Sequence, residues 1–254
     1  MSQNKTNFAI PLAFVGMMFF AIGFALGINS FLIPVLKGAL NLPAGVAYLL
    51  LAATFVPFLI FGYPASLTIA KIGYKRTMAL SFLIFAIAFV LFVLSAMQKS
   101  FPLFLVASFI SGAANAYLQA SVNPYITILG PIESAAKRMS IMGICNKLAW
   151  PVAPLFFSLV VADQTNVQVA DLYFPFYIII GVFFLLGIIS LMAPLPEVKA
   201  AGEDGSDVAD CPYAANKTSI WQFPHLVLGA ITLFIYVGVE TLSLSTAVDY
   251  AKAL

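Results

Sequence analysis

The sequence predicts an all-α fold, a polytopic membrane helix bundle, on three observations: an extreme apolar composition, successive apolar runs of spanning length, and lysine and arginine gathered on one side of those runs. Of 254 residues, 62% are hydrophobic and 9% are charged, and the mean hydropathy is +1.03. A water-soluble domain carries roughly 25% charged residues, so the solvent for most of this chain is lipid. The 12 basic and 10 acidic residues leave a net charge of +2. That balance is too sparse to track phosphates, and nucleic acid is not an expected partner.

A helix crosses a bilayer with about 20 apolar residues. The first run, Phe8 to Leu36, is too long for the core of a secretory signal and has no clear cleavage site after it, so it reads as a retained span. Val46 to Ala70, Thr77 to Met97, Phe101 to Leu129, Ile141 to Val161 and Tyr173 to Met192 follow. A seventh run begins near Phe223. Between the sixth and seventh lies the one sizeable hydrophilic stretch, with Glu197, Glu203, Asp204, Asp207 and Asp210 among Gly and Ser, a composition suited to a solvated linker. The expected organisation is a six-helix bundle over 1–192, a cytoplasmic linker over 193–222, and a seventh helix over 223–254 that opens a second bundle. Six spans, an inner linker and a new span describe one half of a two-half carrier and the start of the other. A second six-helix half is therefore expected as a missing partner, and the 254-residue chain alone is not expected to transport.

Lysine and arginine set the orientation. With the N-terminus in the cytoplasm, Lys5, Lys71, Lys75, Arg76, Lys137, Arg138, Lys199 and Lys217 lie inside, against Lys37 and Lys99 outside. This asymmetry places the N-terminus in the cytoplasm. Asn4-Lys5-Thr6 and Asn216-Lys217-Thr218 match the glycosylation sequon but would both face the cytoplasm, away from the glycosylating machinery. Cys145 in an apolar span and Cys211 in a polar loop are not expected to pair, and neither belongs to a metal-spaced cluster. The one histidine, His225, reads as an interfacial side chain. No carboxylate pair, ligand cluster or nucleophile–base pair marks an enzyme, and no cofactor or metal is expected.

Polar groups deep in a span are the first place to look for function, because lipid penalises them unless they face protein or water. On the fourth span Ser111, Asn115, Gln119 and Asn123 recur every four residues. Each step drifts about 40° around the helix, so the four share an arc of roughly 120°. Two readings fit: interhelical hydrogen-bond glue, or a stripe of matched donors and acceptors facing a hydroxyl-rich neutral ligand. Pro124 follows the stripe and removes a backbone donor, so a bend is expected there. The first span carries Asn29 and Ser30, and the fifth carries Asn146 and Lys147 with Trp150 one turn on. Lys147 reads either as a side chain snorkelling from a helix end or as a buried functional cation. Glu240 sits about 17 residues beyond Phe223 and shares a face with Tyr236 and Ser243. It reads either as a coupling or substrate group or as a structural partner for an amide or Lys147.

Gln119-Ala120-Ser121-Val122-Asn123-Pro124-Tyr125, with Gly130-Pro131 and Glu133-Ser134 beyond it, resembles the fourth span and following loop of the fucose/glucose-galactose branch of the major facilitator superfamily. Gly143-Ile144-Cys145-Asn146-Lys147 is similar to the start of that branch's fifth span, and Tyr236-Val237-Gly238-Val239-Glu240 to its seventh. The resemblance implies a six-helix N-terminal bundle of 3+3 inverted repeats and then the first helix of a C-terminal bundle. It implies a sugar permease of the inner membrane that moves a small-molecule hexose, glucose/galactose-like or fucose-like, by alternating access. By position Asn29, Gln119, Asn123 and Asn146 would line its cavity; with Asn115 of the stripe they are the expected substrate-binding residues, and an aromatic such as Tyr117, Trp150 or Tyr236 would stack on the sugar.

Two departures accompany the likeness. Gly73-Tyr74-Lys75-Arg76 is similar to the basic end of the superfamily signature, but Ser66 and Ala70 stand where glycine and aspartate are usual. Proton-coupled fucose carriers have an aspartate and a glutamate at the positions of Ser30 and Gln119, neither of which titrates near neutral pH. Coupling to a proton or sodium then falls to Glu240, with Lys147 as a second ionic candidate. The other expectation from the superfamily is an efflux carrier for apolar or cationic compounds.

Overall fold

The computed structural model describes residues 9–161, 168–193, 195 and 219–253. The chain divides into two compact units, Met1–Val198 and Lys199–Leu254. Most of the expected linker, 194 and 196–218, lies outside the described residues, as do Lys5, Cys211 and both sequon asparagines.

The first unit contains α1 (Ala9–Ala39), the single turn α2 (Ala44–Ala47), α3 (Leu49–Met97), α4 (Phe101–Ile128), α5 (Ala135–Val160) and α6 (Tyr173–Met192). The second contains α7 (Pro224–Ala253). Six of these helices are long and apolar enough to cross a membrane. The expected second and third spans are both found in α3, which Gly73 divides into limbs of nearly equal length, 49–72 and 74–97. Gly73 has φ 81° and ψ 169°, a combination open almost only to glycine. The limbs run in opposite senses along α4. In the first, Thr54 lies against Gly112 and Phe61 beside Tyr117. In the second, Tyr74 lies beside Tyr125 and Phe92 beside Phe104. One residue thus performs the reversal for which the sequence suggested a short loop over 71–76.

The bundle is held by two kinds of packing. Phe82, Phe85, Phe89 and Phe92 recur at three- and four-residue steps, so they share a face of α3. They meet Phe176 and Phe183 of α6, with ring centroids 4.8 Å apart for Phe85–Phe183, 5.4 Å for Phe89–Phe183 and 5.5 Å for Phe92–Phe176. Aromatic pairs of this geometry add about 0.5–1.5 kcal/mol each beyond area burial. In the α1–α5 and α3–α4 interfaces small residues also bring backbones together, as is common when lipid removes the hydrophobic drive for helix pairing. Gly23 and Gly27 of α1 lie against α5: a Cβ on Gly23 would fall 2.0 Å from the Asn146 carbonyl oxygen, and one on Gly27 would fall 2.7 Å from that of Trp150. Gly112 of α4 meets the Thr54 carbonyl in the same way, at 2.1 Å.

The outer surface of α3 carries Leu83, Ile87, Val90, Leu94 and Met97, all exposed. Their alternating steps of four and three residues put them opposite the phenylalanine face. Such a stripe suits contact with acyl chains. Buried hydroxyls, among them Thr54, Thr77 and Ser81, donate to the carbonyl four residues back, which removes a polar cost that lipid would otherwise impose.

Candidate functional site

The fourth-span stripe forms on α4, which continues unbroken through Pro124 to Ile128. It grades from buried to accessible along the helix. Ser111 and Asn115 are each 1% exposed, whereas Gln119 and Asn123 are half-buried. Gln119 Nε2 donates to Asn115 Oδ1 at 3.1 Å, the bond expected of amides one turn apart. Ser111 Oγ is buried without a hydrogen-bond partner among the described residues, and Asn123 makes no hydrogen bond among them. The stripe therefore retains donors and acceptors beyond those it uses internally, an unusual state for groups inside a bundle.

The other two amides are differently employed. Asn29 is 1% exposed; its Nδ2 donates to the Ala25 carbonyl at 3.3 Å, and its Oδ1 accepts from Ser108 Oγ at 3.3 Å. It ties α1 to α4 one turn before Ser111. Asn146 Nδ2 donates across to the Phe19 carbonyl at 3.1 Å, beside the close approach at Gly23. Both make the helix-to-helix bonds that amides make in membranes, worth on average about 0.6 kcal/mol. The structure thus joins Asn115, Gln119 and Asn123 on one helix, and gives Asn29 and Asn146 partners of their own.

Of the ionic candidates, Lys147 is exposed, with its ammonium 5.5 Å from the centre of the Trp150 ring, within range of a cation–π contact. Trp150 is half-buried, and its Nε1 is buried with no hydrogen-bond partner among the described residues. Glu240, on α7 in the second unit, is half-buried and accepts a hydrogen bond from the Tyr236 hydroxyl at 3.3 Å. Tyr117 packs its ring against Phe61 at 6.1 Å. Cys145 is a free thiol, and no cluster of metal-ligating residues occurs among the described residues.

One polar residue was not distinguished by sequence reasoning. Arg138, counted there only as a loop cation, is 8% exposed. Its Nε donates to the Ile126 carbonyl at 3.0 Å, Nη2 to Thr127 at 3.0 Å, and Nη1 to Pro131 at 2.8 Å and to the Ser134 hydroxyl. The guanidinium therefore satisfies the last carbonyls of α4, which a helix end leaves without partners. Gly130, at φ 107°, lets the chain turn back beneath it, with Arg138 Nη1 3.5 Å from where a Cβ would stand. The spacing of Arg138 from Ile126 follows no helical period, and no local signal would have found the contact.

Multiple apolar crossings, glycine-mediated helix contacts and a polar stripe on an interior helix define a multi-pass membrane protein. Residues 14–250 match the Major Facilitator Superfamily, and the chain belongs to that family. It is 33% identical over 244 residues to a protein named glucose/galactose transporter from Brucella abortus, covering 94% of this chain and 58% of that one. It is 23% identical over 268 residues to the L-fucose-proton symporter of Escherichia coli, covering 98% of this chain and 61% of that one. The chain thus spans about three-fifths of the length of these curated relatives. Among solved structures, the E. coli fucose:proton symporter FucP matches with a TM-score of 0.65 at 23% identity, over 79% of this chain and 52% of that one. The all-helical major facilitator fold expected from the sequence is therefore present, and the likeness to the fucose/glucose-galactose branch extends to the relatives matched.

Proposed function

We propose that this chain forms the substrate-binding N-terminal part of a secondary transporter for a hexose-type sugar, set in the cell inner membrane with its N-terminus in the cytoplasm. On this reading 1–192 is the sugar-binding bundle, 193–222 the inner linker, and 223–254 the first helix of a second bundle against which it rocks. The observation that carries it is the spare hydrogen-bonding capacity of the α4 stripe: Gln119 and Asn123 are half-buried beside Asn115 and Ser111, with more polar atoms than internal partners. A sugar presents hydroxyls that both donate and accept, which amides match. The names of the relatives agree in substrate class. Asn29 and Asn146 contribute by fixing α1 to α4 and α5 to α1, which holds the stripe in place. Glu240, with Tyr236 as hydrogen-bond donor, is assigned the cation-coupling role, and Lys147 a lesser one through its hold on Trp150.

The test is equilibrium binding of labelled D-glucose, D-galactose and L-fucose to the purified chain in detergent, with unfolding followed in parallel. Each of Gln119→Ala and Asn123→Ala is expected to weaken sugar binding by about three- to tenfold, the worth of one net hydrogen bond, while leaving unfolding almost unchanged. Asn29→Ala and Asn146→Ala are expected to lower stability first. Unaltered affinity in both stripe variants would remove the proposed site.

A further inference from the structure

The second limb of α3 and α6 run antiparallel, with Ala79 and Phe82 beside Gly187, and Phe92 beside Phe176 at the other end. At the Gly73 end the missing side chain of Gly187 leaves an apolar groove of about 300 Å³, lined by Arg76, Leu80, Leu83, Phe184, Gly187 and Leu191. Leu83, Phe184 and Leu191 are exposed, so the groove opens on the surface that the leucine and valine stripe of α3 also occupies. Its one charged group is Arg76. That side chain is exposed and makes no hydrogen bond or ion pair among the described residues, and it stands with Lys71 and Lys75 at the reversal of α3. The first 132 residues of the chain contain no Asp or Glu at all, so this cationic corner has no acid close in sequence.

An apolar channel that faces acyl chains and ends in a bare guanidinium matches one kind of molecule in both halves. We propose that the groove between α3 and α6 is a binding site for an anionic phospholipid, with an acyl chain lying over Gly187 and the headgroup phosphate on Arg76. Charge complementarity decides against a zwitterionic lipid, because a juxtamembrane cation attracts net negative headgroups. Guanidinium offers paired N–H donors to phosphate oxygens, which a bound lipid would use. The lysine and arginine asymmetry places the Gly73 end on the cytoplasmic side, where the leaflet is anionic. The site does not depend on the sugar reading, since no residue of the α4 stripe takes part.

The experiment is native mass spectrometry of the full chain, delipidated in detergent and offered equimolar phosphatidylglycerol and phosphatidylcholine with the same acyl chains. The intact protein should retain phosphatidylglycerol preferentially by about fivefold, the effect of one surface cation on an anionic lipid. Arg76→Gln should bring the two lipids to parity, whereas Lys37→Gln, outside the groove, should leave the preference intact. Ile188→Trp, a lipid-exposed change beside Gly187, should fill the groove and lower retention of both lipids. The proposal fails if the unaltered chain holds the two lipids equally, or if Arg76→Gln keeps the preference. It also fails if glycerol 3-phosphate without acyl chains displaces the bound lipid as well as phosphatidylglycerol does.

Discussion

Replacing Gly23 by alanine adds one methyl group where α1 lies closest against the α5 backbone. That methyl would sit 2.0 Å from the Asn146 carbonyl oxygen, 2.9 Å from its carbon and 3.0 Å from the Ala149 Cβ. The first two obstacles are backbone, so no rotamer change relieves them, and α1 and α5 must separate by more than 1 Å to reach ordinary carbon–oxygen distance. A gap of 0.5–1 Å already forfeits a quarter to a half of each dispersion contact along the interface. The same separation stretches the 3.1 Å bond from Asn146 to the Phe19 carbonyl beyond hydrogen-bonding range. Overpacking of about 1–3 kcal/mol together with loss of an interhelical bond of about 0.6 kcal/mol gives an expected destabilisation of about 2–4 kcal/mol. Reversible unfolding of the purified protein in mixed micelles reads this quantity. Gly181→Ala on α6, where an added methyl meets nothing within 4 Å, is the control, and should be neutral or gain up to about 1 kcal/mol from helix propensity. If Gly23→Ala unfolds at the same point as Gly181→Ala, the glycine contact is not what sets the α1–α5 distance, and the account of Asn146 as a fixed tie fails with it.

Three further outcomes are expected. Gly73→Ala forces a side chain into a glycine-only backbone region, and should cost about 1–3 kcal/mol in the same unfolding assay. Arg138→Ala strands the carbonyls at the end of α4 and should cost about 2–4 kcal/mol; Arg138→Lys, with one nitrogen in place of three, should recover less than half of it. Glu240→Gln should leave hexose binding within about twofold but remove any dependence of that binding on sodium or pH, and a retained dependence would take the coupling role away from Glu240.

The apolar runs were legible because the hydrocarbon thickness fixes their length: α1, α4 and α6 begin and end within three residues of the expected limits, whereas α5 starts at Ala135, six residues ahead of Ile141. The reversal at Gly73 was not, since composition alone cannot separate a short loop from a single glycine that turns one helix into two. The amide stripe was legible from its four-residue step, because neighbours on one helix face are set by helical geometry. The employment of Asn29 and Asn146 was hidden: their partners, Ser108 and Phe19, lie 79 and 127 residues away in sequence. The four-residue spacing of Gly23 and Gly27 in the first apolar run marks a close helix approach but does not name α5 as the neighbour.

The single-residue reversal in α3 leaves no slack between the two crossings it joins. A tilt of 49–72 has no intervening loop to absorb it, and so passes directly into 74–97. That limb is clamped to α6 by stacked rings. The two crossings of α3 and the helix they are stacked on are therefore expected to shift together, as one stiff block.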